Sequence, residues 1–235
     1  MQVVILAAGK GTRIKPLSND TPKPLIEIIP GVSIVDKTIE ALPDEIDEII
    51  FVVNYHQEQI RKKYGNKIGN RKVSYVVHEK LDGTAQALWQ CIDILKNDFL
   101  VLCGDDIYSQ QDLKKLIKHP LALLVAERSG TPKGGQVVVD EKQRLIEIVD
   151  YPKVKLGKYL FNTGAYKLTR LFFEFEQVLI KKDSDEYGLP QTLAQVAQKH
   201  AVVVEKTEAL YLQINTLEDL EKAKETLSNN GKNIN

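Results

Sequence analysis

The chain has 235 residues, 43% of them apolar and 27% charged, with 32 basic residues against 32 acidic ones. That length buries a sizeable core in one large domain, and the balanced charge gives no global field to steer the protein onto nucleic acid or a membrane surface. No apolar run reaches the roughly 18 residues a spanning helix needs, and VVILAAG lacks the basic flank of a signal peptide, so a cytoplasmic protein is expected. Cys91 and Cys103 are the only cysteines; Cys103, inside FLVLCGDD, reads as a small buried hydrophobe, and no disulfide is expected. His56, His78, His119 and His200 lack ligand spacing, which argues against a structural zinc site.

The first apolar run, VVILAA, reads as a buried strand. It empties into residues 8–24, where Gly9, Gly11, Pro16, Pro22 and Pro24 stand among Lys10, Arg13, Lys15 and Lys23, with Asp20 the one acid. The prolines remove donors and block the helical turn, so this is a loop, and its local charge suits an anion. The runs EIIFVVN, KVSYVVH, FLVLCGD and ALLVAE follow as strands. Between them lie stretches of helical period: IVDKTIEAL, in which Ile34, Val35, Thr38, Ile39 and Leu42 share a face, then HQEQIRKKY, TAQALWQCIDIL and SQQDLKKLIK. Such alternation predicts an α/β fold with a mostly parallel sheet and helices on both faces.

From about residue 131 the rhythm changes. GGQVVVDEKQRLIEIVDYP reads as a hairpin and KYLFNTGAY as a strand, and helices are expected over LTRLFFEFEQVLIKK and YGLPQTLAQVAQK. AVVVEK and LYLQI return to strand. TLEDLEKAKETLS closes with a helix capped by Thr216, its acids in the first turn. The tail NNGKNIN, residues 229–235, is expected to fray. No repeat, low-complexity linker or Pro/Gly-rich seam divides residues 1–228, which are expected to form one domain.

Three phosphate-binding designs compete for GKGTR. A Walker loop needs GxxxxGK and then Ser or Thr, which the chain does not supply. A dinucleotide-binding turn needs a third glycine opening a helix, but Ile14 stands at that place and prolines follow. The remaining design is a loop whose small residues let backbone N–H groups close on a triphosphate while Arg13 and Lys23 supply charge.

LAAGKGTRIKPLSNDTPKPL resembles the signature of the sugar-1-phosphate nucleotidyltransferases, or nucleoside-diphosphate-sugar pyrophosphorylases: LAAG or LAGG, xGTR, a proline-leucine pair, then PKPL. The resemblance implies a Rossmann-like fold, a mixed, mostly parallel sheet flanked by helices with a strand-rich sugar-binding part. It also implies the reaction of an NTP with a sugar 1-phosphate to give an NDP-sugar and pyrophosphate. On that pattern about 1–130 would hold nucleotide and about 131–215 the sugar. Leu6, Ala7, Ala8, Gly9, Gly11 and Thr12 would line the nucleotide, and Arg13 and Lys23 would be the catalytic cations. The chemistry agrees, because bringing two polyanions together is mainly a matter of positioning and charge neutralisation.

Weaker matches follow in order. VLCGDDIY ends an apolar strand in carboxylates at the sheet edge where doubly wound folds bind ligands, and Asp105 falls on the family's Mg2+-binding aspartate. Asp106 reads equally as a turn residue or a ligand. DGTAQAL resembles the segment that reads the base, with Gly83 letting base or ribose approach and Thr84 adding a hydroxyl at the helix start; His78 stands where relatives often have Gln. On the sugar side the resemblance points to Gly135, Asp150, Asn162 and Glu186, while Tyr151 replaces a phosphate-holding lysine. In LYLQINTLEDL, Gln213 takes the place of a second metal aspartate, so Mg2+ is expected on Asp105 with Asn215 or Gln213, and mostly on the triphosphate. UTP or dTTP is the expected donor. A CTP-dependent enzyme for a small phosphate such as phosphocholine, and a non-catalytic nucleotide-binding regulatory module, are the alternatives. Nothing in the sequence sets an oligomeric state.

Overall fold

A computed structural model describes residues 1–132, 134–150, 152 and 156–232. The first half runs β1 (Gln2–Leu6), β2 (Glu27–Ile29), β3 (Val32–Ser33), α1 (Ile34–Glu40), β4 (Glu48–Val53), α2 (Gln57–Tyr64), β5 (Lys67–Ile68), β6 (Arg71–Val77) and α3 (Thr84–Trp89). It continues through β7 (Asp98–Cys103), β8 (Asp106–Ile107), α4 (Gln110–Leu116) and β9 (Ala122–Gly130). The second half adds β10 (Gly135–Val139), β11 (Leu145–Asp150), β12 (Leu156–Thr169), α5 (Leu189–Ala197), β13 (Val203–Lys206), β14 (Leu212–Gln213) and α6 (Leu217–Lys232).

Ten strands form one mixed sheet in the order β11-β10-β12-β7-β1-β4-β6-β5, with β9 also on β12 and β13 on β9. Its centre, β7-β1-β4-β6, is parallel. Strand alternation sorts the apolar runs onto two cores. Val4, Ile50, Val52 and Val101 meet Leu88 of α3 and Leu193 of α5 on one face, whereas Ile5, Ile49, Phe51 and Leu102 meet Val35 of α1, Ile60 of α2 and Leu113 of α4 on the other. Every residue of β4 is buried, as a strand covered on both faces requires. No described helix is long and apolar enough to cross a membrane.

The antiparallel β12 changes the direction of the sheet. It pairs with β7 through Ala165–Thr169 and with β9 over most of its length, so β9 again runs parallel to β7 and ends at the same sheet edge. A third, smaller core gathers Ile14, Ile26, Ile34, Ile107, Ile214 and Leu220. It ties the loop after β1 to the loop after β14.

Two expectations need correction. The stretch 168–182 is not an α-helix: Leu168 and Thr169 finish β12, a 3-10 turn covers Arg170–Glu174, and Leu179 bridges Tyr187. Tertiary bonds override the helical period there. Phe172 and Phe173 pack on Trp89, and Arg170 donates to the carbonyls of Ile92 and Leu95 at 2.9 Å. The helix read over 84–95 stops at Trp89, and the residues beyond it close tighter i→i+3 turns, Cys91 N–H to Leu88 O and Ile94 N–H to Cys91 O. The helix α6 is described to Lys232, and the rest of the 229–235 tail, residues 233–235, lies outside the described residues, as does Tyr151.

One acid ties the start of α1 to α2. Asp36 accepts from the Ser33 N–H and hydroxyl at 2.7 Å, closing a capping box, and also from Lys63 and Tyr64 of α2. Burial raises its pKa, but these donors outweigh burial and leave it below the ordinary 3.8. A depressed folded-state pKa contributes stability above the unfolded value and loses it as pH falls. Asp36→Asn is therefore expected to cost about 1–2 kcal/mol at neutral pH, and urea melts should show that difference shrinking below pH 3.8.

Candidate active site

Two clefts open at the carboxyl edge of the parallel strands. The larger, about 410 Å³, is lined by the loop after β1 and by the mouth of α3; the smaller, about 260 Å³, is lined by β10, β11 and β12. Arg13, Thr84, Asp105 and Asn215 line both, so the clefts meet at these residues.

Neighbouring burial explains why they meet. Ile14 and Ile214 are fully buried in the small third core, which leaves Arg13 and Asn215 side by side at its edge. Arg13 Nη2 donates to Asn215 Oδ1 at 3.0 Å. Lys23, only 6% exposed, pairs with Asp105 and reaches the same Asn215 oxygen at 3.5 Å. Asp219, in the first turn of α6, accepts from the N–H groups of Asn215 at 3.0 Å and Thr216 at 2.9 Å, and Thr216 Oγ1 caps in return. One amide oxygen thus holds two cations, and an acid at a helix start holds the amide.

Of the residues expected to hold nucleotide, Leu6, Ala7, Ala8, Gly9, Gly11 and Thr12 all line the larger cleft. Gly11 has φ +61, and a side chain there would press on Ser18 and Lys23 at 3.1 Å. Ser18 Oγ closes the loop by donating to Gly11 O at 2.7 Å. His78 lines the same cleft but is 4% exposed, with Nε2 2.7 Å from Asp82 Oδ1. Gly83 and Thr84 also line the larger cleft, and both make contacts behind it. The space a Gly83 side chain would fill holds the Tyr187 backbone, with O at 2.2 Å, and the Thr84 hydroxyl accepts from Leu189 N–H at 3.0 Å. Both dock the 178–189 segment onto α3.

Gly135, Asp150 and Asn162, expected to contact sugar, and Gln213, expected near the metal, line the smaller cleft. Burial raises the pKa of Asp150, which accepts a bond from Gln191. Asn162 spends its amide locally, donating to Tyr166 Oη at 2.8 Å and accepting from Gly164 N–H at 3.0 Å. Glu186 instead lines the larger cleft and is exposed. Asp106 lies away from solvent beneath the junction: it accepts from Tyr211 Oη at 2.9 Å, and burial, then the neighbouring Asp105 carboxylate, push its pKa up to about 8. It is placed to support β14.

Arg128, Tyr211 and Gln191, which bond the smaller-cleft residues Gln213, Asp106 and Asp150, and Lys10, which lines the larger cleft, are absent from the site expected from the sequence. Lys10 was legible as one of the loop cations. Arg128 carried no motif, because ALLVAE read as a strand that ended one residue before it.

A domain model described as nucleotidyl transferase matches residues 2–230. The bifunctional protein GlmU of Methanocaldococcus jannaschii is 32% identical over 90% of this chain and 49% of its own length. The UTP–glucose-1-phosphate uridylyltransferase AglF of Haloferax volcanii is 28% identical over 82% of each chain. The chain spans about half the length of the GlmU relatives it matches. Among solved structures, the inositol-1-phosphate CTP transferase of T. maritima superposes with a TM-score of 0.78 at 22% identity, over 97% of this chain and 94% of its own.

Proposed function

We propose, from the premise that this chain belongs to the nucleotidyl transferase family, that it joins the nucleotidyl group of an NTP to a sugar 1-phosphate and releases pyrophosphate. The observation that carries the reading is the meeting of Arg13, Lys23, Asp105 and Asn215 where the two clefts join. Residues 1–228 act as one domain in this reading, with the triphosphate in the larger cleft and the sugar phosphate in the smaller. UTP or dTTP is the favoured donor, supported by the likeness to a UTP-dependent uridylyltransferase.

In the proposed reaction an oxygen of the acceptor phosphate attacks the α-phosphorus, and the bond to the pyrophosphate oxygen breaks. Backbone N–H groups of Gly9 to Thr12 cradle the departing phosphates. Arg13 forks onto them, and Lys23 neutralises charge at the α-phosphate. Asp105 and Asn215 offer a carboxylate and an amide oxygen, the hard donors that Mg2+ takes, so the residues fit the ion. No group of three or more His, Cys, Asp or Glu side chains is placed to hold a metal among the described residues, which leaves the triphosphate to supply most other ligands. When bound, Mg2+ would offset phosphate charge. Gln213 is the poorer candidate, since it lines only the smaller cleft whereas Asn215 lines both.

Pyrophosphate release over a matrix of NTPs and phosphate acceptors, phosphocholine and sugar 1-phosphates included, tests the reading. Activity with UTP or dTTP and a sugar 1-phosphate is expected; release only with CTP and phosphocholine, or none at all, overturns it. Arg13→Ala should slow turnover by on the order of a hundredfold with an unchanged circular dichroism spectrum. Asn215→Ala should raise the Mg2+ concentration for half-maximal rate by on the order of tenfold, whereas Gln213→Ala should not, and an unmoved Mg2+ titration for both variants would remove this segment from the metal site.

A further inference from the structure

Arg128 is held in place with no acid partner among the described residues. Its guanidinium lies 3.8 Å from the centre of the Phe161 ring, and its Nη1 donates to Gln213 Oε1 at 3.0 Å. Phe161 and Gln213 both line the smaller cleft. Glu127, its neighbour in β9, points to the other face of the strand and pairs with Lys158 at 2.8 Å. Among the described residues no carboxylate stands within ion-pair distance of Arg128. A half-buried guanidinium loses hydration, and a neutral amide repays little of that loss. Stacking on a ring engages the face of the fork and leaves in-plane N–H groups free for a planar or tetrahedral anion.

Position narrows what that anion is. The end of β9 lies at the same sheet edge as the end of β7, and Gln213 is in register with Asp106, next to Asp105. Gln213 precedes Asn215 by two residues, roughly 7 Å of extended chain. Arg13 and Lys23 gather at Asn215 and Arg128 gathers at Gln213, so cations flank this short span from both ends. A phosphate with hydrogen bonds on two sides matches that span.

We propose that Arg128 binds the phosphate of the acceptor and holds it at the junction opposite Arg13 and Lys23. This rests on the nucleotidyl transfer reading, which supplies the acceptor. Arg128 sets the affinity for the acceptor and leaves that for NTP alone. Its fork also selects a phosphomonoester over an uncharged sugar.

Steady-state kinetics of the wild type, Arg128→Ala and Arg128→Lys separate the two ideas. With glucose 1-phosphate varied against saturating UTP, Arg128→Ala is expected to raise the acceptor KM by about tenfold or more, and Arg128→Lys to restore part of it. The KM for UTP should move by less than about twofold. An unchanged acceptor KM in an active Arg128→Ala enzyme overturns the Arg128 assignment and leaves the reaction standing. A loss confined to glucuronic acid 1-phosphate, with glucose 1-phosphate unaffected, assigns the guanidinium to a sugar carboxylate and also overturns it. Should the wild type turn over no pair, the functional reading fails first. Calorimetry of glucose 1-phosphate binding to the UTP-loaded protein then decides the residue: binding weakened in Arg128→Ala supports it, and equal or absent binding in both proteins rejects it.

Discussion

Lys23→Ala is expected to lower pyrophosphate release by on the order of a thousandfold, the largest loss of any single side chain in the site. The ammonium is held in a place that water cannot fill well. Lys23 is 6% exposed, it pairs with Asp105, and Asn215 accepts from it at 3.5 Å. Charge in so dry a position acts on a phosphate far more strongly than a solvated lysine does, and it needs no reorganisation as the transition state forms. Arg13, by contrast, is exposed and shares its work with the backbone N–H groups of its loop, so its loss costs less. Lys23→Met keeps the stem that packs beside Gly11 and isolates the charge. Both variants should fold, with a stability loss of about 1–2 kcal/mol, because Asp105 is a third exposed and solvent replaces part of its partner. Near-normal release by Lys23→Met would move the chemistry away from this lysine.

The parallel centre of the sheet was legible because each of its strands is a short apolar run bounded by turn residues, and burial on both faces demands that. The loop of residues 8–24 was legible for the opposite reason: glycine, proline and cations together serve no core. What the sequence hid depends on distant contacts. LTRLFFEFEQVLIKK carries apolar residues at helical spacing, yet Phe172 and Phe173 are claimed by Trp89, and the chain beyond Glu174 runs extended to dock on α3. The same docking accounts for Gly83 and Thr84, whose partners lie about a hundred residues away at Tyr187 and Leu189. Arg128 was hidden because its meaning comes from Phe161 and Gln213, on strands that periodicity places in the sheet but not beside it.

Gly83 and Gly9 both line the larger cleft, and their substitution by alanine should separate two kinds of glycine. At Gly83 the φ of +109 is one that L residues rarely adopt, and an added Cβ would lie 2.2 Å from Tyr187 O and 2.5 Å from Tyr187 N. Those backbone atoms cannot swing aside, since Tyr187 N–H donates to Asp82 O at 2.8 Å and its carbonyl accepts from Ala85 N–H at 2.9 Å. Gly83→Ala must therefore push the 178–189 segment off α3. A cost of about 3 kcal/mol or more is expected, from backbone strain and overpacking together, and turnover should fall with the displaced cleft wall. At Gly9 a Cβ would meet no protein atom within 4 Å. Gly9→Ala should leave the urea midpoint unchanged and raise the KM for NTP, because the only thing its methyl group can meet in the cleft is ligand. Equal stability losses for the two variants would show that both glycines serve packing, and a Gly9→Ala enzyme with an unaltered KM for NTP would place the triphosphate elsewhere than on this loop.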